Sequence, residues 1–421
     1  MLAAGAVLAG APQESAAPLP KIVVAFANEP LATPGPAGTT GARYGGTGYR
    51  VGQSAQRQAH SVAAQYSLRE VRSWPIAVLS MHCVVYEITN GRPAAEVIAQ
   101  LSKDSRVLLA QGLQEFHTLT TAAAAAPALA TAAAGATAAA GAAYNDPLYD
   151  MQTNMTTLGI ARAQKRTQGA GVRIAVIDTG VDLAHPDLHG ASLRSRSFLD
   201  KSADAASLRH GTAMVGLIAA VANNHVGIVG LAPRAHVEVL EACWQLSPAN
   251  DAAVCNTFTL ARALAAALAS DVQLVNLSVA GPADPLLAAL VQAGLKRGVT
   301  FVGAAAGPDA PFPTAIPGVI TAAGMEQPPP PGALAAPSQH VMTLRPAGEY
   351  DFESGSSIAA AEITSVLALL MSASPTRLSS ATDYHQSLQH EPTLQQAQPP
   401  DGAIRCRPLL GGVLHYYSRA A

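Results

Sequence analysis

Three polar residues stand out against apolar surroundings in this chain of 421 residues. Asp178 ends the run VRIAVID and is followed at once by Thr-Gly. His210 opens HGTAMVGLIAAVA, whose small residues suit a tightly packed helix. A serine opens the long apolar run in SGSSIAAAEITSVLALLM. A carboxylate can hold an imidazole in one tautomer, the imidazole can take the proton of a hydroxyl, and the hydroxyl can then attack a carbonyl carbon. At a helix amino end the macrodipole disfavours the charged imidazole, and free N–H groups at the start of the serine helix face a developing oxyanion. Asp, then His, then Ser is one of the chain orders in which such a triad is built. Taken singly, a strand-end aspartate is most often an Asx turn or a helix cap. A dinucleotide site would need a glycine-rich turn after a strand, whereas GAG at 169–171 precedes one.

The elements that must position these groups are legible from periodicity. From residue 172 apolar strands alternate with helices: VRIAVID then HGTAMVGLIAAVA, HVEVLEA then TLARALAAALAS, VQLVNLSV then PLLAALVQAGLKR, VTFVGAAA then the helix from about Ser357. That alternation predicts an α/β domain, a parallel sheet flanked by helices, with working residues at the carboxyl ends of its strands. Residues 20–118 carry a β-α-β-β-α-β pattern: KIVVAFA, a helix at 54–66, one or two strands in PIAVLSMHCVVYEI, a helix in RPAAEVIAQLSKDS and a closing strand, RVLLAQGLQEFHT. Between the two units, 119–143 is an alanine-rich linker. Residues 1–19 look like the apolar part of a secretory signal without its basic start, and 374–421 read as polar and irregular, with a helix and a hairpin near GGVLHYYS.

Composition narrows the partners. With 49% apolar residues the chain can bury a sizeable core, and 26 basic against 28 acidic residues give nothing that attracts nucleic acid. No eighteen strongly apolar residues run consecutively, so no membrane span is expected. Of the four cysteines, Cys243 and Cys255 close a short loop that suits either a disulfide or two buried thiols; no CxxC pair supports zinc, and Cys83 and Cys406 have no evident partner. The signal-like start and the cysteines point to a secreted or periplasmic location.

The stretches AVIDTGVDLAHPDL, HGTAMVGLIAA and SGSSIAAA together resemble the subtilisin-like (subtilase) serine peptidases over roughly residues 144–373. The resemblance implies a subtilisin-like catalytic domain with an irregular extension at 374–421, preceded by a small α+β ferredoxin-like propeptide at 20–118 that assists folding, blocks the cleft and is then removed. It assigns the nucleophile to the second residue after Gly355, hence Ser357 rather than Ser354 or Ser356, with His210 as base and Asp178 as its orienter. The strand VNLSVAGP becomes the substrate edge, Ser278, Val279, Ala280 and Gly281, and the implied partners are polypeptide substrates and the chain's own propeptide. The oxyanion would be held by the Ser357 backbone N–H and by an asparagine after VTFVGAAAG. This chain has Pro308 there, which offers no donor; Thr314 is a nearby substitute in sequence. No cofactor is required, but a structural calcium is implied at Asp146, Asp187 and Asn224, although Asn-Asn before glycine is also ordinary turn chemistry. His185 and His189 read as solvated loop residues, not as transition-metal ligands. Ala280, Ala361 and Ser365 depart from the family's glycine and proline positions. The expected function is a serine endopeptidase made as a self-processing zymogen; the alternative is a weak or inactive relative that binds peptides.

Overall fold

The computed structural model describes residues 19–29, 50–119, 143–199, 208–245 and 253–373, together with the backbone of two strands at 404–409 and 414–419. The chain divides into two compact units, one made of 1–75 and 82–112, the other of 76–81 and 113–421.

The first unit follows the expected order. Strand β1 (Lys21–Ala27), helix α1 (Gln53–Tyr66), strands β2 (Leu68–Ile76) and β3 (Met81–Ile88), helix α2 (Ala94–Leu101) and strand β4 (Val107–Gly112) build a four-stranded sheet in the order β2-β3-β1-β4. This is the split βαβ arrangement of ferredoxin-like domains. Ile22, Val24 and Phe26 of β1 meet Val62 of α1, Tyr86 of β3, and Val97 and Leu101 of α2 in one apolar core. Asn28 receives the Gly52 amide on Oδ1 at 2.7 Å, which ties the exit of β1 to the entry of α1.

The expected closing strand RVLLAQGLQEFHT does not run through. It stops at Gly112, and after Leu113 and Gln114 a separate strand, β5 (Glu115–Thr118), pairs within the second unit. The break follows the pattern: β5 alternates, with Phe116 and Thr118 buried and Glu115 and His117 exposed, as a strand between two neighbours does over a protein surface.

The second unit begins with two short helices, α3 (Thr153–Thr157) and α4 (Ile160–Gln164). Strand β6 (Arg173–Asp178), an edge strand β7 (Leu193–Ser197), helix α5 (Arg209–Ala219) and strand β8 (His236–Glu241) follow. A hairpin of β9 (Cys243–Gln245) and β10 (Ala253–Asn256) leads into helix α6 (Thr257–Ala269); then come β11 (Leu274–Leu277), β12 (Val279–Ala280), helix α7 (Pro285–Lys296) and β13 (Thr300–Ala304). Strands β14 (Ile320–Gly324) and β15 (Leu334–Ala336), the hairpin β16 (Val341–Arg345) and β17 (Glu349–Glu353), helix α8 (Ser356–Ala373) and the strands β18 (Ile404–Leu409) and β19 (Leu414–Arg419) complete it.

The main sheet has nine strands in the order β18-β19-β15-β14-β13-β11-β6-β8-β7. The seven from β15 to β7 are parallel, and the final hairpin adds antiparallel to β15. Alternate side chains of the central strands serve two layers. Ile174, Val176, Leu274 and Val302 join the core under α5 and α8, whereas Phe301 fills the space beside Gly294 of α7 and Leu268 of α6. Strands covered on both faces have no polar face, which explains the continuous apolar runs. Helix α8 is long and apolar enough to cross a membrane, but 72% of it is buried inside the protein, as a core helix. The strands of this sheet missed by the sequence reading, β7, β14 and β15, are short or at an edge, and their runs LRSRS, ITAAG and LAA lack strong periodicity.

Candidate active site

Asp178 is the last residue of β6, at the carboxyl edge of the parallel sheet, and it is fully buried. His210, the second residue of α5, points its Nδ1 at Asp178 Oδ1 over 2.6 Å, and the Thr179 amide donates to the same oxygen at 2.6 Å. Both side chains lie away from water, where a hydrogen bond is electrostatically strong. A buried imidazole can come this close because the next residue is glycine. A Cβ on Gly211 would sit 2.5 Å from the Thr179 carbonyl oxygen and closer still to that of Gly180. The Gly211 amide also donates to Thr179 Oγ1 at 2.7 Å, which locks the start of α5 to the turn after β6. His210 Nε2 is buried and has no hydrogen-bond partner among the described residues.

Ser357 is the second residue of α8 and is fully buried. Gly355 precedes the helix at φ 135°, a left-handed conformation that suits glycine. The hydroxyl donates to the Ser278 carbonyl at 3.2 Å and accepts the Leu119 backbone N–H at 3.2 Å. Ser356, its neighbour, donates to the Ala305 carbonyl at 2.7 Å and so is turned toward the exit of β13.

The expected substrate strand is occupied by the protein's own chain. Val279 and Ala280 of β12 pair antiparallel with Thr118 and His117, and on the other side Val254, Cys255 and Asn256 of β10 pair with His117, Phe116 and Glu115. Segment 115–118 is thus the middle strand of a small sheet, β12-β5-β10-β9. Phe116 is fully buried and meets the Phe312 ring edge-on at 5.1 Å between centroids. Gly281 makes room for it: a Cβ there would press into the Phe116 ring and lie 3.0 Å from the Glu115 carbonyl. Thr118 Oγ1 accepts the Ala253 amide at 3.0 Å. Gly281 and Phe312 exchange backbone hydrogen bonds and close the far end of the cleft. Ala280 is buried and pairs with His117 in the ladder. The sequence reading missed Phe312 and the whole β10 edge. Their signals were faint: one aromatic in a proline-rich loop, and four residues after a stretch with no periodicity.

Cys243 and Cys255 form a disulfide between directly opposed residues of β9 and β10, the hairpin that supplies this second edge. Cys83 is a free thiol buried in the first unit, where burial pushes its pKa up and leaves it inert. Cys406 lies in β18, opposite Tyr417 in the ladder.

Pro308 lies exposed in the loop after β13, and Thr314 turns its methyl toward Gly303 of that strand. The three residues assigned to calcium come together, but as partners of one another. Asn224 Nδ2 donates to Asp187 Oδ1 at 3.0 Å, the Ile228 amide donates to Asp187 Oδ2 at 2.7 Å, and the Asn223 and Asn224 amides take the two oxygens of Asp146 at 2.8 and 3.2 Å. Asn224 Oδ1 accepts the Val226 amide at 2.8 Å, so its nitrogen faces Asp187. Burial pushes Asp187 up to about 7 and raises Asp146 as well. In this arrangement the oxygens of Asp146 and Asp187 accept from N–H groups of the protein, and each oxygen keeps further lone-pair capacity. His185 is not solvated as expected: it is buried, accepts the Asp187 amide on Nδ1 at 3.1 Å and meets the Glu349 carbonyl through Nε2 at 3.1 Å. Among the described residues no three His, Cys, Asp or Glu side chains form a group that could hold a metal ion.

A buried Asp–His pair, a serine at a helix start and an extended segment paired beside it stand at the carboxyl edge of a parallel sheet, where proteins of this architecture gather their working residues. The comparisons agree. A model of the subtilase family matches residues 169–399. Thermitase from Thermoactinomyces vulgaris is 29% identical over 243 residues, 54% of this chain and 85% of its own. Subtilisin E from Bacillus subtilis (strain 168) is 27% identical over 237 residues, 49% of this chain and 57% of its own. The crystal structure of fervidolysin from Fervidobacterium pennivorans, a keratinolytic enzyme related to subtilisin, shares the fold with a TM-score of 0.66 at 18% identity, over 88% of this chain and 57% of that one. This chain belongs to the subtilase family and is by that membership a serine-type peptidase.

Proposed function

We propose that the protein is a serine endopeptidase made as a zymogen, with Asp178, His210 and Ser357 as its triad and the bond between Leu119 and Thr120 as the first it cuts. The observation that carries this reading is the Leu119 N–H on Ser357 Oγ, at the end of a strand paired on both edges. It also selects the bond. An oxygen that accepts an N–H lies near the plane of that peptide, edge-on, while attack on a carbonyl carbon comes from above its plane. The bond between Thr118 and Leu119 is therefore presented wrongly, and attack falls on the Leu119 carbonyl carbon.

In the proposed reaction the Ser357 hydroxyl turns from the Ser278 carbonyl to His210 Nε2, which has no hydrogen-bond partner among the described residues. His210 takes the hydroxyl proton as Oγ bonds to the Leu119 carbon. Asp178 steadies the resulting imidazolium, and the oxyanion gathers charge beside the Ser357 amide at the start of α8. Collapse breaks the C–N bond, with the His210 proton passing to the departing Thr120 nitrogen. Water, deprotonated by His210, then releases the acyl group. The reaction as proposed requires no cofactor. The occupied groove supports polypeptide substrates with an aromatic side chain at the fourth residue on the amino side of the cut, and the chain's own segment as its first ligand. The disulfide supports export to an oxidising compartment.

The test is self-processing. Purified wild-type chain should convert to a fragment beginning at Thr120, while the Ser357→Ala chain stays full length; a wild-type chain that stays intact refutes the reading. Pro308 favours a second reading, a peptide-binding relative with little turnover. In subtilisin itself, a relative of this chain, losing the asparagine donor costs about 10² to 10³ in turnover, a borrowed figure that still leaves an enzyme. Failure to react with a fluorophosphonate probe would decide for the binding protein.

A further inference from the structure

The antiparallel ladder between β10 and β5 should end at the pair Asn256 and Glu115, because the next residue, Thr257, is the first of helix α6. Its carbonyl is committed along the helix axis and is not available to a neighbouring strand. The pairing nevertheless continues. The Thr257 amide donates to the Gln114 carbonyl at 3.0 Å, and the Gln114 amide donates to Thr257 Oγ1 at 3.0 Å. The hydroxyl thus stands in for the missing backbone acceptor.

A free hydroxyl rotor would do this poorly, since it could as well present its hydrogen. Here the rotor is fixed: Thr257 Oγ1 donates to Asp284 Oδ2 at 2.6 Å, which leaves its lone pairs toward Gln114. Asp284 is only 3% exposed and caps α7, with Oδ1 accepting the Leu287 amide at 3.0 Å. Thr257 is fully buried, so neither group spends its hydrogen bond on water. The capping box of Asn256 and Thr259 holds the turn that aims both.

We propose that Thr257, oriented by Asp284, forms a backbone-binding subsite that grips the sixth residue on the amino side of the cut in any polypeptide lying in the groove. The proposal rests on reading the groove as the substrate groove. It assigns Thr257 a contact with substrate and Asp284 a positioning role. Because both contacts are to main chain, the subsite takes any residue with an N–H, excludes proline, and makes the enzyme sensitive to substrate length rather than to sequence at that position.

Two measurements test it. In full-length Ser357→Ala protein, hydrogen exchange at the Gln114 amide should be slow, about tenfold faster when Thr257→Val is added, and slow again with Thr257→Ser. Equal exchange in the valine variant would overturn the proposal. In the second, the wild-type chain, after processing itself, is given the peptide Leu-Gln-Glu-Phe-His-Thr-Leu joined to a fluorogenic leaving group, and the same peptide with an ester oxygen in place of the Gln N–H. The ester should lose about three- to tenfold in kcat/KM, the range of one net hydrogen bond. The Thr257→Val chain should cleave both peptides with one kcat/KM, and Thr257→Ser should restore the difference. Equal cleavage of the two peptides by wild type overturns the proposal. If wild type cleaves neither, the peptidase reading fails, and the exchange measurement still decides the subsite.

Discussion

Replacing Gly211 by alanine tests whether the Asp178–His210 pair depends on the close approach of α5 to the turn after β6. The added Cβ would lie 2.5 Å from the Thr179 carbonyl oxygen and closer still to that of Gly180, against a floor of 3.0 Å for real contacts, so backbone must retreat by 0.5 Å, the difference of the two, at Thr179 and by more at Gly180. Both obstacles, at Thr179 and Gly180, are main chain and cannot swing aside as a flexible side chain would. The helix start moves instead and carries His210 with it, lengthening the 2.6 Å contact with Asp178 to the weak end of the hydrogen-bonding range. Overpacking of this kind costs about 1–3 kcal/mol. For a unit of this size that lowers Tm by roughly 2–12 °C. A misplacement approaching 1 Å in the catalytic group costs on the order of 10² in rate. The stability is read as Tm in the Ser357→Ala background, where both proteins keep the same covalent length. The rate is read as self-processing of the Gly211→Ala chain. A Gly211→Ala protein with Tm within about 1 °C of its parent and processing within about twofold would refute the reasoning.

Glu362 is fully buried on α8, and burial holds its carboxyl protonated well above the usual range, with Asn154 Nδ2 donating to it at 2.8 Å. A carboxyl raised in the folded state stabilises the fold at low pH and loses that contribution as pH climbs past its unfolded value toward its folded one. Glu362→Gln keeps the acceptor without the titration, so its Tm should gain on wild type with rising pH from about 4.5 upward, and a constant gap would refute this. Removing the disulfide by Cys243→Ala with Cys255→Ala should cost about 3 kcal/mol on the chain-entropy account and loosen the β10 edge, seen as a lower Tm and slower self-processing. If His210 is the base, His210→Gln should abolish self-processing; processing at the wild-type rate would exclude it from that role.

Much of the site was legible in the chain because its parts are local. Asp178 closes a run that only a buried strand explains, His210 is followed by a glycine that close packing demands, and Ser357 follows a glycine at the head of an apolar helix. Each signal lies within a few residues, and a parallel sheet brings strand ends to one edge whatever the chain length between them. The disulfide was one of two open readings, since a short loop permits a bridge but does not say whether the cysteines face each other across a hairpin. What the sequence could not decide is what long-range pairing decides. LQEFHT looked like the tail of the strand before it, because alternation reports that a strand exists and not which neighbour it takes. Tertiary structure assigned it to the groove. The same holds for Thr257 and Asp284, ordinary helix-start residues in the sequence, whose hydroxyl and carboxylate acquire a task only when a third segment, distant in the chain, is laid against them.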